Sequence, residues 1–202
     1  MFTGIIQDMG HIADIRQEDM QSHFTITTSL DTSAWQSGDS IAVDGCCLTA
    51  TALRKGEFDV TLSQETLNLT VFGSVEAGRK VNLESALCLG DALGGHMVSG
   101  HVDGMGRLEE VKEIGEHRFM RYSLPQELLR YVVHKGSVAV NGVSLTINLA
   151  DDSGFTVNLI PHTLTHTNLG ALMAGDRVNI ETDLLGRYVE RLMDPKLKSG
   201  DV

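Results

Sequence analysis

The sequence predicts an all-β fold with two homologous modules and a C-terminal α-helix. First, the chain of 202 residues repeats one pattern at a nearly constant offset, which indicates an internal duplication. Second, short β-branched segments alternate polar and apolar residues and are separated by turns. Third, only one segment has the periodicity of a longer amphipathic helix. Together these observations favour antiparallel barrels or sandwiches.

The repeat extends over most of the chain. Residues 40–49 match residues 137–146, so that Ser40 aligns with Ser137 at an offset of 97. The same offset aligns 58–62 with 155–159, 65–67 with 162–164, and 81–84 with 178–181. An offset of 96 aligns residues 1–6 with 97–102. A period of this length indicates a duplicated domain rather than a solenoid, whose repeats are shorter.

The repeat also predicts the domain boundaries. Residues 88–96 contain three glycines between the two copies and are expected to form a linker. We therefore expect a first domain over residues 1–96, with the linker from about residue 88, and a second domain over residues 97–184. A C-terminal helix and tail should follow over residues 185–202.

Each module contains matching strand signals. The predicted strands are 24–28, 40–43, 47–51 and 58–62 in the first module, and 119–124, 137–140, 145–149 and 155–160 in the second. Asp44-Gly45 and Asn141-Gly142 each lie between two such strands. Asp-Gly and Asn-Gly are strong signals for two-residue hairpin turns. Both pairs therefore predict a β-hairpin at the same place in each copy.

Helical signals are few. Residues 125–133 begin with proline, which is favoured in the first turn of a helix, and residues 65–70 and 162–167 could each form one helical turn. The clearest helix covers residues 184–193, where the apolar residues lie on one face: Leu184, Leu185, Tyr188, Val189, Leu192 and Met193. This face could pack on its own barrel or on a partner helix in an oligomer, and the pattern alone favours neither.

Composition excludes several classes of partner. The formal net charge is −11, which would repel a polyanion, so nucleic-acid binding is not expected. No segment approaches the length of an apolar membrane span, and the N-terminus lacks the features of a signal peptide. The three cysteines, Cys46, Cys47 and Cys88, are odd in number and contain no C-x-x-C motif. We therefore expect a reduced, cytoplasmic protein without membrane association.

Small polar residues at matched positions are the main functional signal. The pairs are Thr3 with Ser99, Ser40 with Ser137, Cys47 with Ser144, Thr49 with Thr146, and Thr66 with Thr163. Some are expected to be turn and cap residues, but hydroxyls at strand ends also suit a planar heterocycle with several polar atoms. His101 aligns with Ile5, so the copies differ in chemistry there. A surface histidine and a structural cysteine remain the simpler interpretations of His101 and Cys47.

Other chemistries lack their motifs. The spacing of His96 and His101 fits no common zinc pattern, so no metal site is expected. The glycines near the linker form neither a Walker loop nor a dinucleotide fingerprint. There is no G-x-S-x-G segment of a hydrolase.

Several segments resemble the riboflavin synthase family of the α-chain type. They are residues 1–6 (MFTGII), 40–49 (SIAVDGCCLT), 94–104 (GGHMVSGHVDG), 135–146 (KGSVAVNGVSLT), 161–163 (PHT) and 178–181 (VNIE). The resemblance is collinear and covers nearly the whole chain. It implies two six-stranded Greek-key β-barrels, and a C-terminal helix through which three subunits associate. It also implies an active site between the N-barrel of one subunit and the C-barrel of its neighbour.

The resemblance further implies the reaction. Each barrel would bind one 6,7-dimethyl-8-ribityllumazine, and one molecule would transfer a four-carbon unit to the other. The products would be riboflavin and 5-amino-6-(ribitylamino)uracil, without a metal or redox cofactor. Association with lumazine synthase is a further expectation of this kind. Enforced proximity of two rings would supply much of the rate, with His101 as the candidate acid–base group.

The site residues follow from the same resemblance. The N-barrel site would comprise Gly4, Ile5, Ile6, Ser40, Cys47, Leu48, Thr49, Thr61, Leu62, Ser63, Gln64, Glu65 and Thr66. The C-barrel site would comprise Gly100, His101, Val102, Lys135, Ser144, Leu145, Thr146, Asn158, Leu159, Ile160, Pro161, His162 and Thr163. Within these sets the expected catalytic residues are His101, Ser144, Thr146 and Cys47.

Two alternatives stay open at this point. A lumazine- or flavin-binding protein of the same fold would bind one ligand and catalyse nothing. The second copy keeps the segments around Gly100, Ser144 and His162, which favours the enzyme. A purely structural β protein would bind no ligand at all.

Overall fold

The computed structural model describes residues 1–193, which form two modules of antiparallel strands with three α-helices. Residues 194–202 belong to the predicted C-terminal segment 185–202 and lie outside the described residues. No described helix has the length and apolar character needed to cross a membrane.

The first module is a closed six-stranded barrel with the strand order β1-β2-β5-β4-β3-β6. Its elements are β1 (Asp8–Glu18), β2 (Gln21–Thr27), β3 (Ser40–Val43), β4 (Cys46–Arg54), β5 (Glu57–Ser63), α1 (Gln64–Leu69) and β6 (Lys80–Ser85). On β5, Phe58, Val60 and Leu62 are fully buried and alternate with more exposed residues. Successive side chains of a strand point to opposite faces, so the predicted alternation places these three inside the barrel.

The second module repeats this architecture with one strand interrupted. Its elements are β7 (Gly104–Ile114), β8 (His117–Ser123), β9 (Ser137–Val140), β10 (Val143–Thr146), β11 (Leu149–Asp151), β12 (Gly154–Leu159), α2 (Pro161–His166) and β13 (Arg177–Thr182). The order is β10-β9-β13-β7-β8-β12-β11. Since β10 and β11 together match β4, the two ends of this curled sheet belong to one broken strand.

The interruption between β10 and β11 comes from a backbone irregularity that both modules share. The Ile147 N–H leaves the ladder and donates to the Gly136 carbonyl at 2.9 Å, as the matched Ala50 N–H donates to Asp39 at 2.9 Å. In the first module this appears as a register shift between Ala50 and Ala52. The predicted strand 145–149 is therefore divided at this point, while the remaining predicted strands are confirmed.

The predicted hairpin turns are confirmed. Asp44 and Gly45 have φ angles of 44° and 77°, and Asn141 and Gly142 have φ angles of 45° and 79°. Positive φ at both central residues is what a type I′ turn requires. The predicted helical turns are also present as α1 and α2.

The predicted helix over residues 125–133 is wrong. Only Leu129–Tyr131 is helical, as a 3₁₀ turn. The Leu128, Tyr131 and Val132 N–H groups each donate to a carbonyl three residues earlier. A short segment that ends in two valines gains few α-helical bonds, and 3₁₀ turns are common in such connections.

The C-terminal helix α3 (Leu184–Met193) is confirmed. Its contacts show whether its apolar face packs on the chain's own barrel. Its polar residues face the second module: Arg187 pairs with Asp103, and Glu190 pairs with Arg130 at 2.5 Å. Its apolar residues are exposed: Leu185 61%, Tyr188 62%, Val189 54%, Leu192 72% and Met193 67%. The apolar face therefore does not pack on its own barrel.

Each module has its own hydrophobic core, and a third, smaller cluster joins them. The joining cluster consists of the buried residues Phe2, Ala42, Val98 and Ala139. A bridge between Phe2 and Val98 pairs the segments that precede the two barrels, with N–H···O distances of 2.7 and 3.1 Å. The modules are thus related by an approximate two-fold axis that passes near this bridge.

Candidate active site

The two hairpin turns meet at the interface between the modules. A Cβ atom on Gly45 would lie 2.6 Å from the Gly142 nitrogen, and one on Gly142 would lie 2.7 Å from the Gly45 nitrogen. Only glycine permits such a close approach of two backbones. The turns thereby fix how β4 and β10, which carry Cys47 and Ser144, are placed relative to each other.

The N-terminal segments of the modules are exchanged. The Cys47 N–H donates to the Gly100 carbonyl at 2.7 Å, and the Ser144 N–H donates to the Gly4 carbonyl at 2.8 Å. Val102 packs against the first core, and Ile6 packs against the second. Each barrel is therefore completed by the segment that precedes the other barrel.

Two buried carboxylates hold the exchanged segments. Glu84 accepts from the Thr3 N–H at 2.7 Å and the Gly4 N–H at 3.0 Å. Glu181 accepts in the same way from Ser99 at 2.6 Å and Gly100 at 2.9 Å. Burial raises the pKa of both carboxyls above its ordinary value, against these hydrogen bonds, which favour the charged form. They fix the turns that present Ile5 and His101.

The first polar cluster combines β4 with residues 100–102, the segment that precedes the second barrel. Gly100 lies beside Cys47, because a Cβ atom on Gly100 would be 2.5 Å from the Cys47 Cβ, and His101 and Val102 follow it in the chain. His101 is exposed and Cys47 is half-buried. Burial raises the pKa of the neighbouring Cys46 thiol to about 12. Cys47 is therefore the cysteine of this pair that a ligand can reach.

The other predicted residues of this cluster lie on strand ends and α1. Ser40 and Thr49 face each other across β3 and β4 and are exposed. Thr61 bonds to His23 at 3.0 Å, and the Ser63 hydroxyl caps α1 by accepting from the Thr66 N–H. Gln64 and Glu65 are exposed, whereas Leu48 and Leu62 belong to the core.

The second polar cluster combines β10 with the N-terminus. Ser144 lies beside Gly4 and the exposed Ile5, and its hydroxyl bonds to His96 Nδ1 at 2.7 Å. Gly95 contacts the same site, because a Cβ atom there would be 2.9 Å from Ser144 Oγ. A serine with a bonded histidine can exchange a proton with a ligand.

The remaining predicted residues surround this cluster or lie beneath it. Thr146, Lys135, Asn158, Ile160, Pro161 and His162 are exposed, and Leu145 and Thr163 are half-buried. Lys135 has a φ of 63° and bonds to Ile147 through its backbone N–H. Leu159 is a buried core residue. No three metal-ligating side chains of residues 1–193 lie close enough to hold an ion.

The comparisons with known proteins agree with this architecture. The model of the lumazine binding domain matches residues 3–86 and 99–183. A riboflavin synthase of Brucella abortus is 44% identical over 95% of this chain and 98% of its own. One of Actinobacillus pleuropneumoniae is 40% identical over 96% of this chain and 90% of its own.

The chain belongs to the riboflavin synthase family. The crystal structure of LumP complexed with riboflavin also resembles it, with a TM-score of 0.83 and 30% identity over 90% of this chain and 99% of that one. A LumP complex with 6,7-dimethyl-8-(1'-D-ribityl) lumazine gives a TM-score of 0.82 and 28% identity, with the same coverage.

The structure changes how the predicted residues of this riboflavin synthase family member are grouped. The sequence grouped Gly4, Ile5 and Ile6 with Cys47, and Gly100, His101 and Val102 with Ser144. The structure places Gly4 beside Ser144 and Gly100 beside Cys47, so each segment lies against the other barrel. The repeat offset cannot reveal this exchange, because it aligns positions and not the contacts between copies.

His96 is the functional candidate that sequence reasoning missed. At the offset of 96 it precedes the residue that aligns with Met1, so the repeat offers no partner for comparison. Burial lowers the pKa of the imidazole, and nearby Asp183 opposes this shift. Its Nε2 is buried without a hydrogen-bond partner among the described residues. A neutral imidazole bonded to Ser144 is therefore present in the second cluster.

Proposed function

We propose that the chain forms riboflavin from two molecules of 6,7-dimethyl-8-ribityllumazine. One molecule would give a four-carbon unit to the other, with 5-amino-6-(ribitylamino)uracil as the second product. The two products together contain the atoms of two substrates, so no external oxidant or reductant is required. The observation that carries this proposal is the pair of similar polar clusters, one on each barrel, in a member of the riboflavin synthase family.

The differences between the clusters suit two roles in one reaction. The acceptor lumazine must lose a proton from its 7-methyl group, and the donor must take up a nucleophile at C7. In the first cluster His101 follows Gly100, which contacts Cys47, and in the second cluster His96 is bonded to Ser144. Each cluster therefore offers an imidazole for proton transfer, with Thr146 nearby to orient a hydroxyl or water. Holding the two rings together would supply much of the remaining rate.

The proposal includes assembly into a trimer. In support, α3 turns its polar face toward its own module and exposes Leu185, Val189 and Leu192. An exposed apolar helix face marks a contact with a partner. Such a contact would bring the first cluster of one subunit toward the second cluster of its neighbour. Association with lumazine synthase and a cytoplasmic location remain predictions of the same proposal.

The direct experiment is to incubate the purified full chain with 6,7-dimethyl-8-ribityllumazine and to follow riboflavin by absorbance. We expect riboflavin and the pyrimidine product in equal amounts. Formation of riboflavin without the pyrimidine would contradict the stoichiometry.

A non-catalytic ligand-binding protein is the second candidate, because the LumP structures share the fold at TM-scores of 0.81 to 0.83. It predicts tight binding of the lumazine with no product. Fluorescence titration beside the turnover assay separates the two functions, since binding without turnover would reject the enzyme.

A further inference from the structure

The first module contains a cleft of about 490 Å³ outside the polar clusters. It lies between the β1–β2 hairpin and α1 with the following 3₁₀ turn, and Met105 and Arg177 reach it from the second module. Phe24 and Leu67 provide apolar lining, while Glu18 and Asp19 provide carboxylates. Among the predicted ligand residues only Gln64 lines it. The proposed reaction assigns no role to this cleft.

The second module shows what occupies the equivalent position there. Arg118 pairs with Leu159 on the neighbouring strand, as Ser22 pairs with the matched Leu62. The Arg118 guanidinium donates to the Gly170 carbonyl at 2.5 Å and to Glu113 at 2.7 Å. A guanidinium therefore occupies the space beside this carbonyl.

The first module keeps the acceptors but lacks the guanidinium. Gly73 matches Gly170 and lines the cleft, and its carbonyl accepts no hydrogen bond from residues 1–193. The matched strand position is Ser22, whose short side chain is buried and carries no charge. Gln17 is the residue that matches Glu113, and Glu18 is the next residue along β1. The cleft thus has the Gly73 carbonyl and the Asp19 carboxylate without a cation at the position that matches Arg118, whereas Glu18 already lies 3.3 Å from His23 and accepts from Gln21 at 3.2 Å.

We propose that this cleft binds a small molecule with a guanidinium group, which takes the place that the Arg118 side chain occupies in the second module. The guanidinium would donate to the Gly73 carbonyl and pair with Asp19. The net charge of −11 favours a cation. Arg177 favours a carboxylate elsewhere on the ligand. A free basic amino acid such as arginine combines both groups.

The test is calorimetric titration of the full chain with L-arginine, and with L-citrulline as the uncharged analogue of nearly the same shape. We expect one arginine site per chain and citrulline binding that is at least about tenfold weaker. Equal affinities, or no arginine binding at millimolar concentration, would overturn the proposal. Because the titration contains no lumazine, its outcome does not depend on the proposed reaction.

Two reciprocal variants make the test specific to the cleft. Ser22→Arg with Gln17→Glu copies the second module and should abolish arginine binding. Arg118→Ser with Glu113→Gln opens the matched space in the second module but leaves no carboxylate there, because Ile114 and Gly115 stand where the first module has Glu18 and Asp19; the stoichiometry should stay at one. Circular dichroism verifies folding of both. If either fails to fold, Glu18→Gln with Asp19→Asn at the exposed hairpin decides the matter, since unchanged affinity in that variant rejects the site.

Discussion

Asp44 and Asn141 occupy the same turn position in the two modules, but only Asp44 can carry a charge. It is fully buried, and its Oδ1 accepts from the Asn82 N–H and from Asn168 Nδ2, each at 2.8 Å. Its Oδ2 has no hydrogen bond from the described residues, and the Arg79 guanidinium lies 3.9 Å away. Burial raises the pKa of Asp44 from 3.8 to about 6. The folded chain therefore holds the Asp44 proton more tightly than the unfolded chain does.

This pKa predicts a pH dependence of stability. The folded state binds the Asp44 proton more tightly than the unfolded state, so the free energy of unfolding falls as pH rises from 3.8 to about 6. Asp44→Asn cannot ionise, so above about pH 7 its free energy of unfolding should exceed that of the wild type by up to about 3 kcal/mol. Urea unfolding at several pH values measures it. The reciprocal Asn141→Asp should destabilise the chain, and a wild-type profile in both variants would contradict this account.

The bond between His96 and Ser144 predicts an effect on turnover. His96→Gln keeps a polar side chain but removes the titratable imidazole, so kcat should fall about a hundredfold. Because burial lowers the pKa of His96, the wild-type rate should persist as pH falls through the ordinary histidine pKa of about 6.5. Steady-state assays test both statements. His11→Gln, at an exposed position of β1, is the control and should keep wild-type rates.

His101 and Ser144 carry a related prediction. His101→Ala and Ser144→Ala should lower turnover without unfolding the chain, because both side chains reach the surface of their clusters. Combined kinetic and circular dichroism measurements check this. Wild-type rates in both variants would remove the two residues from the mechanism.

At the scale of elements, reciprocal hydrogen bonds join β6 of the first module to the β9–β10 turn, and β13 of the second module to the β3–β4 turn. Asn82 Nδ2 donates to the Asn141 carbonyl at 2.9 Å, and the matched Asn179 Nδ2 donates to the Asp44 carbonyl at 2.9 Å. Buried polar groups are costly unless paired. These bonds therefore fix the two hairpins against each other and with them the spacing of Cys47 and Ser144.

The contact between the hairpin turns predicts a large effect of one methyl group. Gly142→Ala adds backbone strain at φ 79° and a Cβ atom 2.7 Å from the Gly45 nitrogen. We expect a loss of about 3 kcal/mol or more. Gly115→Ala is the matched control, because it has a φ of 62° but open space around it, and should cost about 1 kcal/mol. Equal losses in thermal unfolding would show that the turn contact does not matter.

At the scale of the whole molecule, the proposed role of α3 is in assembly and not in the folding of the barrels. Deletion from Leu184 onward should leave folded but monomeric barrels, since no residue of α3 is buried. Leu185→Glu with Val189→Glu should dissociate the proposed trimer without removing the ion pairs that hold the helix. Sedimentation velocity measures both, with Arg191→Ala as the control on the same helix. A trimer that survives the deletion would refute this role of α3.

The sequence by itself determined the duplication, the hairpin turns and the amphipathic helix. These features depend on local rules: the side-chain period of a strand, the positive φ of Asp-Gly and Asn-Gly, and the spacing of apolar residues on a helix. The resemblance also pointed to Cys47, His101 and Ser144, but not to His96.

Only the tertiary structure decided which segment completes which barrel. The exchange of Gly4 and Gly100 between the modules, the pairing of Ser144 with His96, and the outward apolar face of α3 all depend on contacts between residues far apart in the chain. Alignment of the two copies shows which positions are equivalent. It cannot show that Gly4 contacts Ser144 or that Gly100 contacts Cys47, because these contacts join non-equivalent positions of the repeat.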